Sequence, residues 1–102
     1  MYIHQKFPDA LFCSNDTQAL GALHALSKLG MRVPDDIGIM GFDNIKLSRY
    51  LDLTTIDQQM HTTGTNATHR LAEMIKNRDS DDLVQQLITP ILVERGSTKK
   101  PK

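Results

Sequence analysis

The chain has 102 residues, 39% of them hydrophobic and 24% charged, the make-up of one small globular domain or part of a larger one rather than of a disordered chain. Twelve Lys and Arg balance twelve Asp and Glu, so no net field draws the chain to nucleic acid or an anionic membrane. No apolar run approaches the ~18 residues that span a bilayer, the start at Met1–Phe7 lacks the zones of a signal peptide, and one cysteine, Cys13, excludes an internal disulfide. Together these predict a soluble protein of a reducing, cytoplasmic compartment.

In chain order, Ala10-Leu11-Phe12-Cys13 is a short apolar run after Pro8-Asp9 and predicts a buried strand. Asn15 or Asp16 then caps a helix, with Gln18 at the spacing of a capping box. Ala19, Ala22, Leu23, Leu26 and Leu29 recur at helical spacing, and Gly30 ends the helix. Val33-Pro34-Asp35-Asp36 predicts a turn, and Ile37 to Phe42 a second buried strand that closes on Asp43-Asn44. Ile45 to Tyr50 forms a helical turn or an irregular loop, and the β-branched Thr54-Thr55-Ile56 is extended.

Thr62 or Thr63 is the expected cap of a further helix with Ala67, Leu71, Met74 and Ile75 on one face, and Gly64 allows close backbone approach there. Asp79-Ser80-Asp81-Asp82 is read as a solvated loop, since it lacks the Gly and distal Glu of a calcium loop. Leu87 to Val93 is the last extended stretch, with Pro90 marking an edge or a break in the ladder. Ser97 to Lys102 is polar and expected to fray.

Strands alternating with helices predict an α/β fold with a parallel sheet. Ligands of such sheets bind beyond the carboxyl ends of the strands. Those ends carry Asn15-Asp16, Asp43-Asn44 and Asp57-Gln58, amide and carboxylate groups fit to hydrogen-bond a polyol. Other chemistry finds no constellation. The four histidines, His4, His24, His61 and His69, have no metal-ligand spacing, and Cys13 stands alone. Ser14 has no poised base, Gly38-Ile39-Met40-Gly41 is not a phosphate loop, and Lys99, Lys100 and Lys102 are too few to hold DNA. No metal, no cofactor and no catalytic residue is expected.

Several of these runs also carry a family pattern. Pro8-Asp9-Ala10-Leu11-Phe12-Cys13-Ser14-Asn15-Asp16 with Ala19 to Leu23, then Leu29 to Ile37, Gly41-Phe42-Asp43-Asn44, Arg49-Tyr50, Thr54-Thr55-Ile56, Gln58, the Met60/Gly64/Ala67 spacing and Glu94-Arg95-Gly96-Ser97 follow in order. The set resembles the effector domain of the lactose-repressor/galactose-repressor (LacI/GalR) family of bacterial transcription regulators, over residues 8–98. The resemblance implies a periplasmic-binding-protein-like (type I) fold of two α/β lobes with a sugar or other small effector in the cleft. This chain corresponds to the C-terminal part of that domain, with residues 1–7 a lead-in and 99–102 a frayed tail. The helix of residues 61–78 would pack on the N-terminal lobe, and residues 87–96 would return to the C-terminal lobe. The sequence departs from the family at Leu51-Asp52-Leu53, where the connection is usually longer and often carries a Pro pair.

By the same resemblance Asn15, Asp43 and Gln58 bind effector hydroxyls. The alternatives are a helix cap for Asn15 and a turn for Asp43, and Asp16 is read mainly as a cap. Leu20 and Tyr50 fall where the family builds its dimer interface; core packing for Leu20 and a surface position for Tyr50 are the alternatives, and Leu23 is read as core. Operator DNA would be contacted only by a helix-turn-helix headpiece that these residues do not include. An exported sugar-binding protein of the same fold is the competing assignment, and a flavodoxin-like enzyme domain a third.

Overall fold

A computed structural model describes residues 7–77 and 87–99. Four strands and three helices alternate: β1 (Ala10–Phe12), α1 (Asp16–Lys28), β2 (Gly38–Met40), α2 (Lys46–Tyr50), β3 (Thr55–Asp57), α3 (Met60–Lys76) and β4 (Ile91–Val93). β1 pairs parallel with β2, Leu11 opposite Ile39. A parallel bridge from Met40 to Thr54 then brings β3 alongside. The parallel expectation holds to this point, but β4 runs antiparallel to β3, Ile56 opposite Leu92.

The first helix forms as its sequence dictates. Asn15 is the N-cap, its side chain accepting the Gln18 amide at 2.8 Å, and the Gln18 side chain accepts from Ser14 Oγ. Gly30 follows the last turn at a φ of 77°, a left-handed conformation natural to glycine. Ala19 and Leu26 on the inner face of α1 meet Ile37, Ile39 and Leu53 in a small core, with Leu11, Leu20, Leu23 and Met31 packed around it. β1 is not the buried strand expected: Phe12 is 62% exposed, and Ala10 also faces outward.

Two further expectations fail for local reasons. α3 starts at Met60, so Thr62 and Thr63 lie inside it; its N-cap is Gln59 in a left-handed conformation, whose amide donates to Asp57 Oδ1 at 2.6 Å. No residue of α3 is buried, and the space where a Gly64 Cβ would stand is open to other segments, so among the described residues nothing uses the close approach that Gly64 allows. The chain end departs too. Ser97 is buried, donating to the Ile39 carbonyl at 2.6 Å while its hydroxyl accepts the Thr54 amide at 2.8 Å. Lys99 Nζ donates to the Asp35 carbonyl. This part of the expected frayed end is stitched to β2 and to the turn before it. The predicted loop at Asp79-Ser80-Asp81-Asp82 and Lys100 to Lys102 lie outside the described residues.

The turn at residues 33–36 is closed by Asp36, whose carboxylate accepts the Arg32 amide at 2.8 Å and the Arg32 guanidinium at 3.3 Å. The backbone bond, and after it the guanidinium, hold the Asp36 carboxyl below its ordinary pKa. The folded carboxyl binds its proton less tightly than the unfolded one, so the link stabilises the fold above the unfolded value. That stability is lost as pH falls through the lowered one. A carboxyl-carbon NMR titration should therefore find Asp36 protonating below about 3.9, the reference value for Asp. A midpoint at or above that reference would show the turn open in solution.

Candidate functional site

The carboxyl ends of β1, β2 and β3 gather Asn15, Asp43-Asn44 and Asp57-Gln58 as the α/β rule requires. What aligns them is Asp16, which is wholly buried. Its Oδ1 accepts the Thr55 hydroxyl of β3, and its Oδ2 accepts the Ser48 hydroxyl of α2 and the Ile45 amide at 2.9 Å. Its own amide donates to the Phe42 carbonyl at the end of β2. Gly41 makes room for this, because a Cβ there would collide with the Asp16 carboxylate. Asp16 is thus not the helix cap expected; Asn15 caps, and Asp16 ties α1 to three other segments.

Asp43 has a φ of 118° and Asn44 a φ of 56°, conformations that cost a non-glycine residue about 1–3 kcal/mol and persist only where neighbours enforce them. Neighbours do so here. The Asp43 amide donates to the Ile56 carbonyl at 2.8 Å, and the Asn44 amide to Thr55 Oγ1. The Asn44 side chain lies between Asp57, to which its Nδ2 donates at 3.1 Å, and Arg95, from which its Oδ1 accepts at 2.9 Å.

Of the predicted effector residues, two are joined directly. Gln58 Nε2 donates to Asp43 Oδ1 at 2.6 Å on the accessible side of the sheet. The short Leu51-Asp52-Leu53 connection therefore does not pull Gln58 away from Asp43: Asp52 adopts a left-handed φ of 55°, and the Leu53 amide closes the loop onto Ser48. Asn15 keeps its Oδ1 on the Gln18 amide. A cavity of ≈ 250 Å³ lies beside Gln58, lined by Phe42, Thr63, Ile88 and Pro90.

Sequence reading missed the aromatic side of this mouth. Phe12 and Phe42 close the ends of β1 and β2 with ring centroids 6.4 Å apart. Phe12 pairs with Met40, and Phe42 lies two residues beyond that partner, on the same face by the period of two, which was the available signal. Leu20 packs against the core, whereas Tyr50 is 79% exposed. Among the described residues, no group of three or more His, Cys, Asp or Glu is placed to hold a metal, and no helix is long and apolar enough to cross a membrane.

The profile of the periplasmic binding protein-like domain matches residues 2–98. A transcriptional repressor of Vibrio vulnificus, PurR, is 45% identical over 98 residues, covering 94% of this chain and 29% of the repressor. A LacI-family regulatory protein from Corynebacterium glutamicum superposes with a TM-score of 0.77 at 41% identity, over 87% of this chain and 35% of that one. A LacI-family regulator from Enterococcus faecium with bound ribose superposes with a TM-score of 0.87 at 26% identity, over 98% of this chain and 38% of that one.

The chain belongs to the periplasmic binding protein-like domain family, in its LacI/GalR branch, as part of an effector-binding domain. It spans about a third of the length of the relatives it matches.

The buried carboxylate makes a direct prediction. Asp16→Ala orphans three donors, each worth about 1–3 kcal/mol when buried and unpaired, so urea unfolding should show a loss of at least about 3 kcal/mol. Ser48→Ala, which removes one of those donors, should lose about 1 kcal/mol and still fold. A loss under about 1 kcal/mol for Asp16→Ala would strip the carboxylate of its organising role.

Proposed function

We propose that this chain supplies one side of the effector site of a LacI-type transcriptional regulator, and that the effector is a hydroxylated small molecule of the sugar class. The observation that carries the reading is the Asp43–Gln58 pair, held by a left-handed backbone at the ends of β2 and β3. With Nε2 already donating to Asp43, the pair still offers a carboxylate oxygen as acceptor, a second amide N–H as donor and the Gln58 carbonyl as acceptor. Vicinal hydroxyls use that set in both directions. Asn15 joins through its Nδ2, which the cap leaves unused. The exposed face of Phe12 meets the apolar face of a ring.

The relatives support regulation over transport, since the V. vulnificus protein is a repressor and the C. glutamicum and E. faecium neighbours are LacI-family regulators. No catalysis is proposed. Effector binding would favour one lobe arrangement and so alter operator affinity, with DNA contacted by a headpiece outside these residues and the whole acting in the cytoplasm. A second reading, a flat nitrogen heterocycle in place of the sugar, is favoured by the same Phe12–Phe42 pair.

An amide NMR titration of the chain with ribose, then with a panel of sugars and nucleobases, distinguishes these. Signals of Phe12, Asn15, Asp43 and Gln58 should move, and Asp43→Ala should weaken the response about tenfold, the worth of one charge-assisted bond. Movement with nucleobases alone selects the second reading. No movement at these residues with any probe overturns both.

The protein is further proposed to self-associate, with Leu20 and Tyr50 at the family's protomer interface. α3 offers a second apolar surface, Leu71 58% and Ile75 57% exposed on one stripe. Light scattering at micromolar concentration should give a mass above that of one chain. Tyr50→Glu should lower it if the first surface acts, and Leu71→Glu if α3 does; a monodisperse monomer contradicts both.

A further inference from the structure

Arg95 lies one residue beyond Glu94 at the end of β4, half-buried, yet its guanidinium faces the loop that carries Asp43. Nη1 donates to the Leu53 carbonyl at 2.9 Å and Nη2 to Asn44 Oδ1 at 2.9 Å. Its backbone is fixed independently. The Arg95 amide donates to Thr54 Oγ1 at 2.9 Å, and that hydroxyl donates to the Arg95 carbonyl at 3.0 Å. With its one proton committed, Thr54 Oγ1 accepts the Thr98 hydroxyl, 2.8 Å away.

The structure assigns Arg95 as a positioning residue of the effector site, acting through Asn44; the assignment rests on the Asp43–Gln58 reading above. The Asn44 amide has only one workable orientation. Its oxygen faces the guanidinium and its nitrogen faces the Asp57 carboxylate, and a flipped amide would set donor against donor and acceptor against acceptor. Arg95 therefore fixes which way Asn44 points. Asn44 in turn spans β3 and holds its own left-handed backbone, to which Asp43 is directly bonded. Asp57 receives the other end of the same chain and also accepts the Gln59 amide, which sets the backbone on either side of Gln58. One guanidinium thus orients both members of the effector pair while touching neither.

The planar fork is what the geometry uses. A lysine ammonium is a single point charge and cannot serve the Leu53 carbonyl and Asn44 Oδ1 in the same fixed plane. Charge alone at this position should not suffice, and Arg95→Lys is the sensitive variant.

Amide and methyl NMR spectra of the full 102-residue chain, of Arg95→Lys, of Asn44→Ala and of the double variant test the assignment. In each single variant the Asp43 backbone signal and the Gln58 side-chain amide should shift, while the methyl signals of Ile37 and Ile39 in the core stay in place. Ribose affinity should fall about tenfold in either single variant and no further in the double, because both changes cut one chain of contacts. Unmoved Asp43 and Gln58 signals in both variants overturn the assignment, and so does an additive loss in the double. Should Arg95→Lys fail to fold, shown by collapse of the Ile37 and Ile39 signals, Asn44→Ala cuts the same chain and leaves the Leu53 bond intact. Ribose that moves no wild-type signal counts against ribose as the effector, while the Asp43 and Gln58 shifts still decide the role of Arg95.

Discussion

A charge taken out of water must be met by donors, and in this protein the donors come from every direction. Asp16 is wholly enclosed. Transfer of an unpaired carboxylate to such a place would cost many kcal/mol, so the fold exists only in arrangements that deliver hydroxyl and amide groups to both oxygens. Those groups lie 29, 32 and 39 residues away, in Ile45, Ser48 and Thr55. Satisfying one side chain therefore sets where α2 sits, how deep β3 lies and how the segment leaving β2 must turn. Among the described residues the apolar core has five buried side chains and little power to choose among such arrangements. The polar centre makes the choice, and it places the strand ends from which Asp43 and Gln58 project.

This dependence also explains what the sequence made legible. Periodicity and capping are local, and α1 was readable to within a residue at both ends: Asn15 caps, Gly30 closes, and Ala19 and Leu26 face inward. The strand ends were readable because alternation of strands and helices fixes them, and that was enough to bring Asp43 and Gln58 together. Asp16 was not readable. An Asn-Asp pair before a helix offers two candidate caps, and the residue that does not cap is assigned to solvent by default unless its distant partners are known. The same limit hid Ser97, a serine in a polar tail whose burial depends on the Ile39 carbonyl and the Thr54 amide. The start of α3 was misplaced because Asp57, a side chain two residues earlier, captures the Gln59 amide and displaces the threonines as caps.

The chain divides into a part that satisfies itself and a part that does not. From β1 to β3, and again from β4 to Lys99, buried polar groups are paired; among the described residues none of the buried side-chain nitrogens or oxygens lacks a partner. α3 buries nothing. Its amphipathic stripe was legible in the sequence as a helix face, and the face is real, but a face read from periodicity does not say where its cover lies. The elongated outline, 64 × 30 × 21 Å, expresses that division. Apolar burial drives folding in proportion to area, so the stability of the described lobe portion must come from the small core and the polar network together, with α3 adding little.

The turn at Asp43 and Asn44 is where these constraints meet. Two successive non-glycine residues at positive φ work against the backbone's preference, and a glycine at either place would relieve it. Glycine would also remove the Asp43 carboxylate or the Asn44 amide, the groups through which the turn is tied to Gln58 on one side and to Asp57 and Arg95 on the other. The strain and the site are consequently one feature. Bonds from β3 and from Arg95 offset the cost of the turn, and because they offset it only in one geometry they also aim the pair. An effector that bonds to Asp43 would meet a carboxylate already oriented, with less freedom left to lose on binding. In the proposed site the same rigidity would make the loop a lever: a ligand bonded to Asp43 would pull on β3 and on the segment after β4 through Asn44 and Arg95.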